Sequence, residues 1–102
     1  MSYQLESTFS KALTKKLKEI PNSWFIRVEI KYIRGIPDRI GCVNGRFVAL
    51  ETKKCEKEAL EKSGRVLLQR VIIKKIQEAG GFADFIYPEN CQEILTKLAE
   101  LQ

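Results

Sequence analysis

The chain contains no histidine. That absence excludes imidazole-ligated zinc, Ser-His and Cys-His nucleophilic triads, and imidazole acid–base chemistry within this chain. Cysteine is sparse: Cys42, Cys55 and Cys91 are odd in number, scattered, and form no C-x-x-C. They read as reduced thiols in a cytoplasmic protein, not as a disulfide frame or a zinc site. No apolar run approaches the roughly 18 residues of a membrane span, and the polar start lacks a signal-peptide core. A chain that does not engage a membrane is therefore expected. Repeats, linkers and low-complexity segments are also missing. Any catalysis must rest on carboxylates, lysine, water and a metal.

What remains is an ordinary globular composition. The 102 residues are 44% hydrophobic and 30% charged, enough for one hydrophobic core and a single domain over 1–102. The net charge of +5 suits an anionic partner. Taken alone it separates nucleic acid only weakly from a basic, solvated surface.

The most informative stretch runs from Asp38 to Lys53. Asn44-Gly45 lies between two apolar runs, Arg39–Val43 and Arg46–Leu50, and this dipeptide favours a two-residue type I′ hairpin because both central residues need positive φ. Counting outward pairs Val43 with Arg46, Cys42 with Phe47, Gly41 with Val48, Ile40 with Ala49 and Arg39 with Leu50, and sets Asp38 opposite Glu51. Alternation then gathers Asp38, Ile40, Cys42, Phe47, Ala49, Glu51 and Lys53 on one face. Two carboxylates directly across a ladder lie about 5 Å apart at Cβ and repel. Beside a lysine, that pair makes sense if a hard cation such as Mg²⁺ fills the gap and reverses the penalty.

Around this hairpin the expected order is α-β-β-β-α-β-α. Ser2 can cap a first helix reaching about Glu19, with Leu5, Phe9, Ala12, Leu13, Leu17 and Ile20 on one arc. Glu6 falls inside that arc, where a carboxylate needs a partner. Lys16 also falls there but can snorkel outward. Trp24–Ile33 alternates as a half-buried strand, with Ile26, Val28, Ile30 and Tyr32 on its core face. Its Glu29-Ile30-Lys31 reads as an exposed charged stripe. Lys54–Ser63 is a charged loop or short helix. A helix from about Arg65 to Ala79 presents Leu68, Ile72, Ile73, Ile76 and Ala79, with Gln69 in the middle of that arc and Arg65 one turn earlier. Leu67 and Val71 lie off it, as candidates for a second contact. Phe82–Tyr87 is a last strand. Asn90 and Glu93 make a capping box for a final helix through Leu101, with Ile94, Leu95, Leu98 and Leu101 inward.

Gly35-Ile36-Pro37-Asp38, then Glu51-Thr52-Lys53 at hairpin distance, then Gln69 on the following helix, resemble the virus-type replication-repair (VRR-NUC) family of the PD-(D/E)XK nuclease superfamily. Glu6 matches the glutamate of that family's first helix. Two features depart from the pattern. Thr52 stands where Val or Ile is usual, and the run before Gln69 lacks the usual Ser or Thr turn. The resemblance implies a restriction-endonuclease-like α-β-β-β-α-β core, a mixed sheet flanked by helices, with an extra C-terminal helix. It further implies a DNA endonuclease in which Asp38 and Glu51 hold Mg²⁺ or Mn²⁺, the Thr52 carbonyl adds a ligand, and Glu6 reaches the metal. Lys53 would orient water or stabilise phosphate charge, and Gln69 would position Lys53 or the phosphate. Arg65, Arg39 and Lys54 are the expected DNA contacts. Single-domain relatives of this kind are often phage-encoded and resemble Holliday-junction resolvases, which implies branched DNA as substrate and a homodimer.

Two rivals compete with that expectation. One is a non-catalytic basic module that binds nucleic acid and uses its acidic cluster structurally. The other is a protein-interaction domain with an incidental acidic pair, which would lack salt-sensitive affinity for DNA.

Overall fold

Asn44 and Gly45 hold φ of 50° and 80°, the left-handed pair that a two-residue bend of this kind requires. The strands on either side pair Val43 with Arg46, Cys42 with Phe47, Gly41 with Val48, Ile40 with Ala49 and Arg39 with Leu50. The register expected from Asn-Gly is the register found.

The computed structural model describes the backbone of residues 2–29 and 32–102, and the side chains of that set from residue 8 onward. The Glu6 carboxylate, the Leu5 side chain, and Ile30 with Lys31 lie outside the described residues. The elements run α1 (Ser2–Lys18), β1 (Ser23–Arg27), β2 (Arg39–Val43), β3 (Arg46–Thr52), α2 (Glu56–Ala59), α3 (Gly64–Glu78), β4 (Phe82–Ile86) and α4 (Cys91–Ala99). The four strands lie in the order β1-β2-β3-β4. The first three are mutually antiparallel, and β4 joins β3 in parallel after the α2–α3 crossover, as a parallel pair needs a long connection. The fold is α/β with a mixed sheet flanked by helices. Among the described residues, no helix is long and apolar enough to cross a membrane.

Because side chains alternate along a strand, the sheet carries two separate cores. On one face Val43, Val48, Leu50 and Ile86 meet Leu13 and Leu17 of α1 and Cys91, Ile94 and Leu98 of α4. On the other, Ala49, Ala83 and Phe85 meet Ala59 of α2 and Val66 and Ile73 of α3. β3 is covered on both sides, and its last five residues are all buried. The alanines on the α3 side leave room for that helix to sit close. Ser63 caps α3, its hydroxyl accepting from the Val66 N–H at 3.3 Å. The start of this helix, which the run before Gln69 left open, is thus set by Ser63.

Several expectations are corrected. The first strand ends at Arg27, and the face it buries carries Phe25, not Ile26. Phe25 lies opposite Gly41 and packs on the α1–α4 core. Trp24 and Ile26 lie opposite Cys42 and Ile40 on the α3 side, where this edge strand projects past the helix, and they are 60% and 44% exposed. Tyr32 lies beyond the strand, in the connection to β2, and is exposed. On α3 the buried line is Val66, Gln69 and Ile73, while Leu68 and Ala79 are exposed. Ala12 is exposed too, and Ser10 is buried in the line with Leu13 and Leu17. The Asn90–Glu93 capping box does not form. Asn90 Oδ1 accepts from the Tyr87 N–H at 2.8 Å and its Nδ2 donates to the Phe85 carbonyl at 3.0 Å, so the side chain ties the end of β4 in place. α4 stops at Ala99, before Leu101, which still packs on the core.

Candidate functional site

Three polar side chains converge where β2 begins and β3 ends. Pro37 is fully buried and delivers Asp38 to the mouth of β2. One oxygen of Asp38, Oδ1, accepts from the Thr52 N–H at 2.9 Å and the Thr52 hydroxyl at 3.1 Å. The other, Oδ2, faces Arg27 Nη2 at 3.9 Å and stays partly exposed. Glu51 and Lys53 follow on the same face of β3, both buried. Glu51 comes from the ladder itself and Lys53 from just beyond it, its N–H donating to the Ile86 carbonyl at 2.9 Å.

Burial pushes the Glu51 carboxyl up to about 7, and the adjacent Asp38 charge pushes in the same direction. Lys53, Arg65 and a hydrogen bond from the Asp38 backbone N–H pull it back. The aromatic ring of Phe85 lies 5.9 Å from Lys53 Nζ and 5.9 Å from the Arg70 guanidinium, within cation–π range. Two clefts open on the acids. One, of about 580 Å³, runs past Arg34, Gly35, Leu68 and Gln69. The other, of about 570 Å³, runs past Lys53, Glu58, Glu61 and Ser63. Asp38, Glu51 and Arg65 border both. Gly35 is required at its turn: its φ is +83°, and a Cβ there would come within 2.9 Å of Leu68 Cγ.

Gln69 is 5% exposed, and its Oε1 has no hydrogen-bond partner among the described residues. An amide oxygen sealed without a partner costs about 1–3 kcal/mol, and this one lines the same cleft as the two acids. Arg65 lies at the rim. Lys54 is turned toward Glu58, 3.6 Å away, along the wall of the second cleft.

Arg39 corrects the expectation that it contacts DNA. It is 2% exposed and its donors point inward: Nε to the Thr52 hydroxyl at 3.3 Å, Nη1 to the Thr14 hydroxyl at 2.8 Å, and Nη2 to the Ser10 carbonyl and hydroxyl at 2.8 and 2.7 Å. Burial lowers its pKa. Sequence reasoning missed this network, although Ser10 and Thr14 sit four apart on a helix, the spacing that stacks two side chains on one face. It also missed Arg27 as a neighbour of Asp38, and it treated Thr52 as a departure when its hydroxyl bridges Arg39 and Asp38.

Asp38 and Glu51 border the same two clefts and offer only carboxylate oxygens there, the ligand type that hard divalent cations take. Among the described residues, no group of three or more His, Cys, Asp or Glu side chains gathers to hold a metal. Compared with protein-family models, curated proteins and solved structures, the chain matches none.

Proposed function

We propose that the chain is a metal-dependent phosphodiesterase acting on DNA, built on a restriction-endonuclease-like core. The observation that carries this reading is the buried Glu51 carboxyl, raised by burial and by Asp38, with Lys53 3.9 Å away. An arrangement selected for stability would not crowd two acids at a sealed strand end. A divalent cation reverses that penalty.

Asp38, Glu51 and the Thr52 carbonyl would hold Mg²⁺ or Mn²⁺, with Glu6 joining from α1. Such an ion, when bound, would neutralise charge on the scissile phosphate and activate water without imidazole, which suits a chain lacking histidine. Lys53 is a donor-only cation, suited to a phosphate oxygen or to orienting the attacking water. The Gln69 amide would orient Lys53 or the phosphate, and Arg65, between the two clefts, would clamp the backbone. Branched DNA as substrate and a homodimeric state rest on the resemblance to VRR-NUC nucleases.

Incubation of plasmid and branched duplexes with Mg²⁺, with and without EDTA, tests the reading. Asp38→Ala, Glu51→Ala and Lys53→Ala are each expected to abolish cutting while DNA binding survives. Cutting by all three at the parent rate overturns it. Metal-independent binding without cutting by the parent leaves the basic binding module in its place. A panel of linear, nicked, flap and four-way substrates then defines the geometry recognised.

A further inference from the structure

Arg39 is a buried cation with no carboxylate of its own among the described residues, and its donors reach four oxygens on two elements. Removing a guanidinium from water is costly unless its donors are satisfied and its charge is balanced. The donors are satisfied by neutral hydroxyls and a carbonyl. The acid that favours its charged form is Asp38, and Thr52 stands between them.

We infer that Arg39 is the positioning residue of the acid pair, acting on Asp38 through the Thr52 hydroxyl. The inference rests on the nuclease reading above and adds to it a residue that touches neither cation nor DNA. Arginine only donates. When Nε donates to the Thr52 hydroxyl at 3.3 Å, the hydroxyl proton is directed elsewhere, and Asp38 Oδ1 at 3.1 Å receives it. The same logic operates at the far end, where the Thr14 hydroxyl accepts from Nη1 at 2.8 Å and donates to the Ser10 carbonyl at 3.1 Å. Oδ1 of Asp38 is thereby doubly held by Thr52, and Oδ2 is the oxygen that Thr52 leaves free, with Arg27 Nη2 3.9 Å away. The planar fork also joins α1 to the end of β3, so the helix that carries Glu6 and the strand end that carries Glu51 are set against one rigid group. Ser10 is shared further, since Arg27 Nη1 donates to its hydroxyl at 3.0 Å while Nη2 faces Asp38 Oδ2.

The test separates positioning from plain stability. Thr52→Val keeps the shape and the backbone N–H but removes the hydroxyl, and Thr52→Ser restores it. Mn²⁺ affinity, read by titration calorimetry, is expected to fall about tenfold in Thr52→Val, the size of one hydrogen bond to a charged group, and to recover in Thr52→Ser. In cleavage assays kcat should fall with KM for DNA unchanged. Arg39→Lys, which keeps the charge but not the fork, should resemble Thr52→Val. If Arg39→Lys fails to fold, the two threonine variants still decide. Parental Mn²⁺ affinity and kcat in a folded Thr52→Val overturn the inference whatever happens to its melting temperature. The expected Mn²⁺ pattern with no cutting by the parent overturns the nuclease reading alone, and no Mn²⁺ binding by the parent overturns both.

Discussion

Lys53 Nζ and Glu51 Oε2 stand 3.9 Å apart, with 5% and 8% of their side chains exposed. The separation is too long for a strong charge-assisted hydrogen bond, which falls near 2.7–2.9 Å. Lysine therefore pulls the Glu51 carboxyl down less than burial and Asp38 push it up. The pair is held close and left incompletely neutralised, and the predictions for this site follow from that.

In EDTA, Glu51 should make the fold less stable as pH rises. Its folded pKa of about 7 lies above the ordinary glutamate value of 4.5, so its favourable contribution is complete below about pH 4.5 and is lost as pH climbs to about 7. Glu51→Gln cannot ionise. Thermal melts of parent and variant across pH 4–8 should therefore diverge, the variant gaining a few kcal/mol relative to the parent by neutral pH. Parallel curves would contradict the raised carboxyl.

Asp38→Asn keeps an oxygen for the two Thr52 donors and removes one of the two repelling charges. Urea unfolding in EDTA should show equal or slightly higher stability, by up to about 1 kcal/mol. Mn²⁺ binding should drop by at least about tenfold. A variant that is clearly less stable would mean that the Asp38 charge serves the fold, as the ion-pair partner of Arg27 or as the charge that balances buried Arg39.

Ser63→Ala removes the cap of α3 and should cost about 1 kcal/mol of stability in urea. Ser63 borders the second cleft but offers its hydroxyl to Val66. Cleavage per folded molecule should therefore stay within about twofold of the parent.

Leu67 and Val71 are 44% and 48% exposed on α3, one turn apart, as a self-contact would use them. Leu67→Glu with Val71→Glu should leave the melting temperature nearly unchanged and convert a dimer to a monomer in equilibrium sedimentation at micromolar concentration. A parent that sediments only as monomer removes the homodimer from the proposal.

The parts of the site that were legible in the sequence are those governed by local rules. Asn44-Gly45 dictates its own backbone, and once the bend is placed, the register runs out to Arg39 opposite Leu50, and a period of two carries Glu51 and Lys53 to one face. Gln69 was recognisable because a polar residue interrupts an apolar helical arc. The alternation of β1 was legible too, but which of its faces would be covered was not. Trp24 and Ile26 share a face with Ile40 and Cys42, yet α3 does not extend over the sheet edge, so an apolar row remains open to solvent. Arg39 failed in the opposite direction. An arginine beside a candidate site suggests a phosphate contact, and only the packing of α1 on the sheet turned it inward.

By itself, then, the sequence determined the order of the strands and main helices, the hairpin register and the gathering of Asp38, Glu51 and Lys53, because each depends on neighbours a few residues away or on a single two-residue bend. It left open that Glu56–Ala59 forms a short helix. Tertiary structure alone decided that β4 lies parallel to β3, that Arg39 is sealed against Ser10 and Thr14, and that the Gln69 amide is buried. Those features depend on which layer covers which face, and residues 29 positions apart, such as Ser10 and Arg39, carry no local pattern that foretells their meeting.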